Sequence, residues 1–133
     1  MKLKPPSEEQ EQIILAQWLD LRGLLYCHVP NEGKHKPQYH AKRKRMGVKK
    51  GFPDIAIFDP PTLPQLGDWA SKYEYLHVCN SSPGTAIELK SKEGKPTQEQ
   101  REWLTRLSVR KWATAICYGA DEAIALLERL YPR

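Results

Sequence analysis

The chain has 133 residues, with 21 lysines and arginines against 16 aspartates and glutamates, which gives a formal net charge of +5. This length suits one domain with its own core, so we expect a single domain over residues 1–133. No run comes near the roughly 18 apolar residues of a membrane span, and the three cysteines lack the C-x-x-C spacing of a zinc ribbon. We therefore expect a cytoplasmic protein that does not interact with membranes.

The first half of the chain predicts a helix, two strands and a basic connection. Apolar residues at helical spacing predict a first helix with its N-cap at Ser7 and its end at Gly23. Residues 24–29 are typical of a strand. Residues 33–50 are basic and show little periodicity, so we expect a mobile loop there. A short apolar strand then begins at an aspartate and covers residues 54–58.

The second half predicts an insertion followed by regular alternation of strands and helices. Residues 59–84 are rich in proline, glycine and serine, and residues 73–78 within them suggest one extra strand. The elements that follow are a strand, a helix, a strand and a helix, over residues 85–90, 97–108, 112–118 and 121–131. The order α-β-β-(insertion)-β-α-β-α predicts a mixed α/β sandwich, with helices on both sides of the sheet.

The basic residues are concentrated in one interval. Between Glu32 and Asp54 there is no acidic side chain, so this segment should carry a strong positive potential. Nucleic acid is the obvious partner, because neutralising phosphates releases condensed counterions. Charge alone does not separate this hypothesis from a solvated loop without a ligand. The candidate phosphate-binding residues are Lys34, Lys36, Lys42, Arg43, Lys44, Arg45, Lys49 and Lys50.

Three charged side chains are spaced to form one site. Glu88 and Lys90 lie at i and i+2 of one predicted strand, so their side chains project from the same face. Asp54 begins the neighbouring strand, where a charge is costly to bury without a cation or another partner. Two carboxylates and the Leu89 carbonyl between them offer the oxygen ligands that Mg²⁺ prefers. Lys90 would then position or deprotonate an attacking water, or stabilise a phosphorane.

The triplet Glu88-Leu89-Lys90 carries little weight by itself. Its alternative interpretation is an exposed ion pair on a strand. The ordered set of features is more specific, because a strand opening with Pro53-Asp54 follows a basic segment and precedes the second carboxylate strand and a helix.

Several motifs together resemble the VRR-NUC nucleases, a branch of the PD-(D/E)XK superfamily that is common in phage genomes. The resemblance extends across nearly the whole chain. Its central motifs are Gly51-Phe52-Pro53-Asp54, Glu88-Leu89-Lys90, and residues 95–100 followed by Trp103-Leu104. Its N-terminal motifs are Glu8-x-x-x-Gln12 on the first helix and residues 29–33.

The resemblance implies a restriction-endonuclease-like α/β/α sandwich with a central mixed β-sheet. It also implies an enzyme that hydrolyses phosphodiester bonds with Mg²⁺ or Mn²⁺, in the host cytoplasm if the gene belongs to a phage. The implied catalytic residues are Asp54, Glu88, Lys90, Gln100 and Glu8. The implied metal ligands are Asp54, Glu88, Glu8 and the Leu89 carbonyl.

Two of these assignments have close competitors. Glu8 shares the first turns of its helix with Glu9 and Glu11, and acidic residues there also suit the helix macrodipole without any metal. Gln98 competes with Gln100 in the same way.

The leading functional hypothesis is a DNA endonuclease, with branched or four-way junction DNA implied by the resemblance alone. A non-cleaving nucleic-acid-binding module of the same fold is the alternative, and an RNA-binding or protein-interaction domain is a third. A homodimer would match the two-fold symmetry of a four-way junction. The residues proposed for its interface lie in the insertion: Leu66, Trp69, Tyr73, Tyr75 and Leu76. Within one chain, the same residues would instead cover a sheet edge.

Overall fold

The computed structural model describes residues 3–30 and 37–133. Its helices are α1 (Glu8–Arg22), α2 (Pro37–Arg45), α3 (Gln98–Val109) and α4 (Ala120–Leu130), with a short 3₁₀ helix at Asp68–Lys72. Its strands are β1 (Tyr26–His28), β2 (Ile55–Ile57), β3 (Thr85–Lys90) and β4 (Ala113–Tyr118). No helix in these two ranges is long and apolar enough to cross a membrane.

The four strands form one mixed sheet in the order β1-β2-β3-β4. The first three strands pair antiparallel, with Ile55 opposite Ile87 in the β2–β3 ladder. Strands β3 and β4 are parallel, with Glu88 opposite Ile116, and the crossover between them contains α3. The prediction of a central mixed sheet is confirmed.

Alternation along β3 separates the two faces of the sheet. Ile87 and Leu89 belong to the main hydrophobic cluster, which also contains Leu15 of α1 and Leu127 of α4. Helix α3 packs on β3 and β4, and its buried Leu104 lies outside that cluster. Because side chains alternate across a strand, Glu88 and Lys90 project from the face opposite the main cluster. The arrangement is the predicted α/β/α sandwich.

The predicted helix ends are confirmed by their capping bonds. Ser7 is the N-cap of α1 and forms a capping box with Gln10, and Gly23 ends the helix in the left-handed conformation. Thr97 is the N-cap of α3 and forms a capping box with Gln100. These bonds satisfy backbone groups that a helix end otherwise leaves without partners.

The prediction of a loop over residues 33–50 is wrong for much of the segment, because α2 occupies Pro37–Arg45. Pro37 stands at the first helical position, where a missing N–H is harmless. At the other end Gly47, with φ 94°, donates to Lys44 O at 3.0 Å, and Val48 donates to Arg43 O at 3.0 Å. This is a Schellman motif. Four basic residues in the last turn also suit the negative end of the helix dipole.

The extra strand predicted at residues 73–78 is also absent from the described chain, where a single bridge joins His77 to Thr114 of β4. Tyr75 has φ 57°, which interrupts the extended backbone that a strand needs. The segment still covers the outer edge of β4, because His77 and Thr114 exchange backbone bonds of 3.0 and 2.9 Å and Ile116 donates to Glu74 at 3.0 Å.

Three of the proposed interface residues of the insertion pack against their own chain. Tyr73 is buried in the main cluster, and its hydroxyl donates to Glu122 O at 3.0 Å. Trp69 and Leu76 also pack against that cluster, while Leu66 and Tyr75 remain exposed. The interpretation of these residues as an internal cover for the sheet therefore accounts for most of them.

Candidate active site

Asp54 immediately precedes β2, at the end of the ladder between β2 and β3. Its carboxylate oxygen Oδ2 accepts a hydrogen bond of 2.8 Å from the backbone N–H of Leu89. The ladder register, continued by two residues from Ile55 opposite Ile87, brings Pro53 opposite Leu89. Proline has no N–H, so Pro53 offers no donor to the Leu89 carbonyl. The Pro-Asp pair thus ends the ladder with a carboxylate beside a backbone carbonyl.

Glu88 is a buried carboxyl group next to this position. Its exposed fraction is 1%, and neither side-chain oxygen has a hydrogen-bond partner among the described residues other than the adjacent Asp54 carboxyl group. Burial first, and then a hydrogen bond with Asp54 and the charge of that carboxylate, raise the pKa of Glu88 to about 10, with Lys90 opposing the shift. A buried carboxyl group beside a second carboxylate is unfavourable unless a proton or a cation balances it.

Lys90 and Glu8 approach each other from different elements. The Lys90 ammonium lies 4.0 Å from Glu8 Oε1, and the Lys90 side chain is only 11% exposed. Glu8 is the first residue of α1, so the start of that helix brings it to the end of β3. The same end of β3 is fixed by Gly119, whose N–H donates to the Lys90 carbonyl at 2.8 Å.

Glu11, the competitor of Glu8, has a different partner. Its Oε2 accepts a hydrogen bond from the N–H of Ala120, the first residue of α4. A carboxylate there satisfies a free N–H and complements the positive end of the helix dipole. Glu9 is exposed on the same turn. Of the three glutamates, the structure places Glu8 beside Lys90 and Glu11 at the start of α4.

Gln100 is buried, with an exposed fraction of 6%. Its side-chain oxygen accepts a bond of 2.8 Å from Thr97 N, and its own N–H donates to Thr97 Oγ1 at 3.2 Å. The side chain therefore has a structural function in the capping box of α3.

The basic segment is described from Pro37 onward, so Lys34 and Lys36 lie outside the described residues. The other candidates are carried by α2 and by the stretch that follows it. Arg43 is half-buried and lies over the ring of Tyr39 at 5.5 Å. A hollow of about 410 Å³ is lined by His40, Arg43, Lys44, Val48, Lys49 and Lys50. The structure thus groups four of the eight predicted basic residues around one concave surface.

The chain is similar to known proteins over most of its length. Residues 6–121 match the VRR-NUC domain family. The chain belongs to this family. A solved structure described as a VRR_NUC domain protein superposes with a TM-score of 0.70, covering 97% of this chain and 91% of that chain at 22% sequence identity. That likeness supports the fold, and no curated protein matches the chain.

The residues of this VRR-NUC domain fit a divalent cation. No group of three histidine, cysteine, aspartate or glutamate side chains in residues 3–30 and 37–133 is close enough to hold a metal ion. Mg²⁺, however, is usually held by one or two carboxylates and completes its shell with water and phosphate oxygens. The two buried side-chain oxygens of Glu88, beside Asp54, are polar atoms that such an ion would coordinate.

Two features of the VRR-NUC domain near Asp54 were not predicted. His28 Nδ1 lies 2.9 Å from the Asp54 carbonyl, although the spacing of the histidines gave no signal for it. Gly51 has φ 86°, and a Cβ there would lie 2.6 Å from the backbone carbon of Glu99. The glycine of the Gly51-Phe52-Pro53-Asp54 motif is therefore required by the close approach of α3.

Proposed function

We propose that this VRR-NUC domain is a Mg²⁺- or Mn²⁺-dependent DNA endonuclease with Asp54, Glu88 and Lys90 at its catalytic centre. The single observation that carries the proposal is the buried Glu88 carboxyl group, which has no hydrogen-bond partner in the described chain other than the adjacent Asp54 carboxyl group. Two carboxylates brought together by a fold tend to repel each other, and a divalent cation removes that repulsion. Membership of the VRR-NUC family independently supports the proposal of nuclease activity.

Asp54, Glu88 and the Leu89 carbonyl would hold the cation. When bound, the cation activates a water molecule and offsets negative charge on the scissile phosphate. Asp54 has the further task of fixing the backbone of β3 through its bond with Leu89. The ligands are therefore held by the sheet before substrate arrives, which limits reorganisation during the reaction.

Lys90 would orient the attacking water or donate to a phosphate oxygen. Its side chain is largely buried, so its ammonium acts over a short range in surroundings that screen charge poorly. Glu8, at 4.0 Å, would hold this ammonium in position and complete the metal surroundings. We assign Gln100 to support of α3 beside the site, since its oxygen bonds Thr97.

DNA is the proposed substrate, and α2 with the following basic stretch is its proposed backbone contact. Lys42, Arg43, Lys44 and Arg45 occupy the last turn of α2 without an acidic residue in its first turn. Such a surface neutralises phosphates irrespective of base sequence.

We also propose a homodimer that acts on branched or four-way DNA, because a two-fold axis presents two equivalent strands to two sites. Trp69, Tyr73 and Leu76 pack on their own chain, and Leu66 and Tyr75 are the residues of the predicted interface that remain exposed. Exposed apolar side chains along α1 and just beyond its end offer further candidates: Ile14, Leu21 and Leu25. Sedimentation at micromolar concentration, with and without four-way DNA, tests this part; a monomer under both conditions contradicts it.

Cleavage assays on linear, flapped and four-way DNA with Mg²⁺, Mn²⁺, Ca²⁺ or EDTA test the catalytic part. We expect cleavage with Mg²⁺ or Mn²⁺, and a loss of at least about 100-fold in Asp54→Asn and Glu88→Gln with DNA binding retained. The matched control is Asp59→Asn, since Asp59 also accepts a backbone N–H, from Leu25 at 2.8 Å. Tight DNA binding without cleavage in wild type would favour the non-cleaving module instead.

A further inference from the structure

A second hollow adjoins the basic one and has a different character. Its volume is about 460 Å³, within the roughly 300–1,000 Å³ typical of small-molecule sites. The two hollows share Arg43, Val48 and Lys49. The remaining wall of the second hollow is mostly apolar and aromatic, and its main residues are Val29, Pro30, Phe52 and Trp103.

The apolar hollow lies directly beside the candidate catalytic centre. The N–H of Val29 donates to the Asp54 carbonyl at 2.8 Å, and Phe52 stands two residues before Asp54. Trp103 is fixed by a bond of 2.8 Å from its Nε1 to the Lys50 carbonyl. The rings of Phe52 and Trp103 meet edge to face, with their centroids 5.0 Å apart. The aromatic wall is thus attached to the loop that presents Asp54.

The chemistry of the two hollows is complementary to that of one nucleotide. A nucleobase has an apolar, polarisable face that packs well on aromatic and aliphatic side chains. Its phosphate is an anion that arginine and lysine bind through charged hydrogen bonds. Arg43 and Lys49 stand on the boundary between the hollows, so they would lie between a base in one and a phosphate in the other. No acidic side chain lines either hollow among the described residues.

We propose that the two hollows form a subsite for one unpaired nucleotide, with its base in the apolar hollow and its phosphate on the basic one. A base inside a duplex is stacked on both faces and cannot enter such a hollow, whereas an unpaired base can. The subsite therefore selects DNA with an unpaired nucleotide next to Asp54. This inference rests on the proposed function only in taking DNA as the ligand.

Binding of three DNA hairpins to the full chain, measured by fluorescence anisotropy in EDTA, tests the subsite. The hairpins are blunt, or carry either one extrahelical thymidine or one abasic nucleotide at the same place. Wild type should bind the thymidine hairpin about tenfold more tightly than the abasic one, as expected for one stacked base. Val48→Trp should fill the shared wall and weaken binding of the thymidine hairpin more than binding of the blunt hairpin, so that the preference is lost.

Val48 is 40% exposed, so its replacement leaves the core intact. Val109→Trp is the matched control, because Val109 is 74% exposed and lies outside both hollows. As a second measurement, the indole N–H resonance of Trp103, assigned with Trp103→Phe, should shift with the thymidine hairpin and not with the abasic one.

Equal binding of the thymidine and abasic hairpins by wild type would overturn the subsite. An equal loss of binding to the blunt and thymidine hairpins in Val48→Trp would also overturn it. Dissociation of a dimer by Val48→Trp would overturn it as well, because the occupant of the apolar hollow would then be a second copy of the chain. Binding is measured without cleavage, so the two proposals fail separately. A base preference in a protein that cuts nothing would contradict the nuclease alone, and cutting without a base preference would contradict the subsite alone.

Discussion

The carboxylate of Asp54 accepts a hydrogen bond from the backbone N–H of Leu89, the residue between Glu88 and Lys90. Asp54 therefore combines a structural bond with its proposed metal ligation, and two substitutions separate these roles. Asp54→Asn keeps an oxygen that accepts the bond, whereas Asp54→Ala removes it. We expect both variants to be inactive, and only Asp54→Ala to lose about 1 kcal/mol of unfolding free energy in urea titrations. Equal stability of the two variants would mean that the bond contributes nothing.

The raised pKa of Glu88 predicts a pH-dependent stability of the metal-free protein. Above its ordinary value of 4.5 the unfolded chain loses this proton, while the folded chain keeps it until pH about 10. The folded state then binds more protons, so stability falls as pH rises through this window. Glu88→Gln should be more stable than wild type by about 1–3 kcal/mol at pH 8 and should lose this advantage near pH 4. Thermal unfolding in EDTA across pH measures both, and a pH-independent difference would contradict the assignment.

Addition of metal should reverse this pattern. Binding of Mg²⁺ requires the carboxylate form of Glu88, so metal should raise the melting temperature of wild type more at pH 8 than at pH 6. Glu88→Gln, which cannot ionise there, is the control and should show little dependence of this gain on pH. An equal gain in both proteins would place the metal elsewhere.

Substitution of Glu8 should mainly lower cleavage, whereas substitution of Glu11 should mainly lower stability. Glu8→Gln removes the carboxylate beside Lys90 and should lower cleavage by on the order of tenfold with little change in stability. Glu11→Gln weakens the cap of α4 at Ala120 and should cost about 1 kcal/mol of unfolding free energy. Cleavage rates and urea titrations on the same preparations compare the two. A larger catalytic loss in Glu11→Gln would exchange their roles.

The charge of α2 should determine the salt dependence of DNA binding. When Lys42, Arg43, Lys44 and Arg45 are replaced with alanine, the higher intrinsic helix propensity of alanine offsets the loss of their favourable charges at the end of α2. We expect uniformly weaker binding across DNA sequences and a slope of log K against log salt that is smaller by about 0.9 for each phosphate that is no longer neutralised. Arg106→Ala with Arg110→Ala is the control, because both arginines lie outside the two hollows. An unchanged slope would mean that α2 does not touch the DNA.

Lys111 offers a test of stability away from the site. Its φ of 75° is left-handed, and it follows α3 where glycine is the usual residue. Lys111→Gly should raise the unfolding free energy by about 0.5–1 kcal/mol. Arg110 has φ −94°, so Arg110→Gly should lower it by a similar amount. If both substitutions destabilise, the lysine conformation is not strained.

Local signals in the sequence were sufficient for most element ends. Ser7 and Thr97 act through side-chain bonds to residues three positions away, so their patterns are visible without any tertiary contact. The same kind of signal was present for α2, where Pro37 and Gly47 mark the two ends. The segment has little apolar periodicity, so its sequence predicts a loop even though the residues typical of helix ends are present.

Tertiary contacts decided what local patterns could not. Glu8 and Glu11 lie one turn apart on α1, and only the position of α4 distinguishes them, because Ala120 meets Glu11. Gln100 is a local case in contrast, because Thr97-x-x-Gln100 has the spacing of a capping box and its bond to Thr97 needs no tertiary contact. The hollow beside Asp54 has no sequence signature, since Val29, Phe52 and Trp103 come from three separate segments.

His77 pairs with Thr114 and so covers the β4 edge of the sheet. In the sheet of the described residues, this leaves one edge for strand pairing with another molecule. Strand β1 is the remaining edge, because its described strand partner is β2 alone. If two copies paired through β1, each would use the open edge of the sheet that its described residues form, and no edge of that sheet would be left for a third copy. Growth of this described sheet by strand pairing would therefore stop at a closed pair.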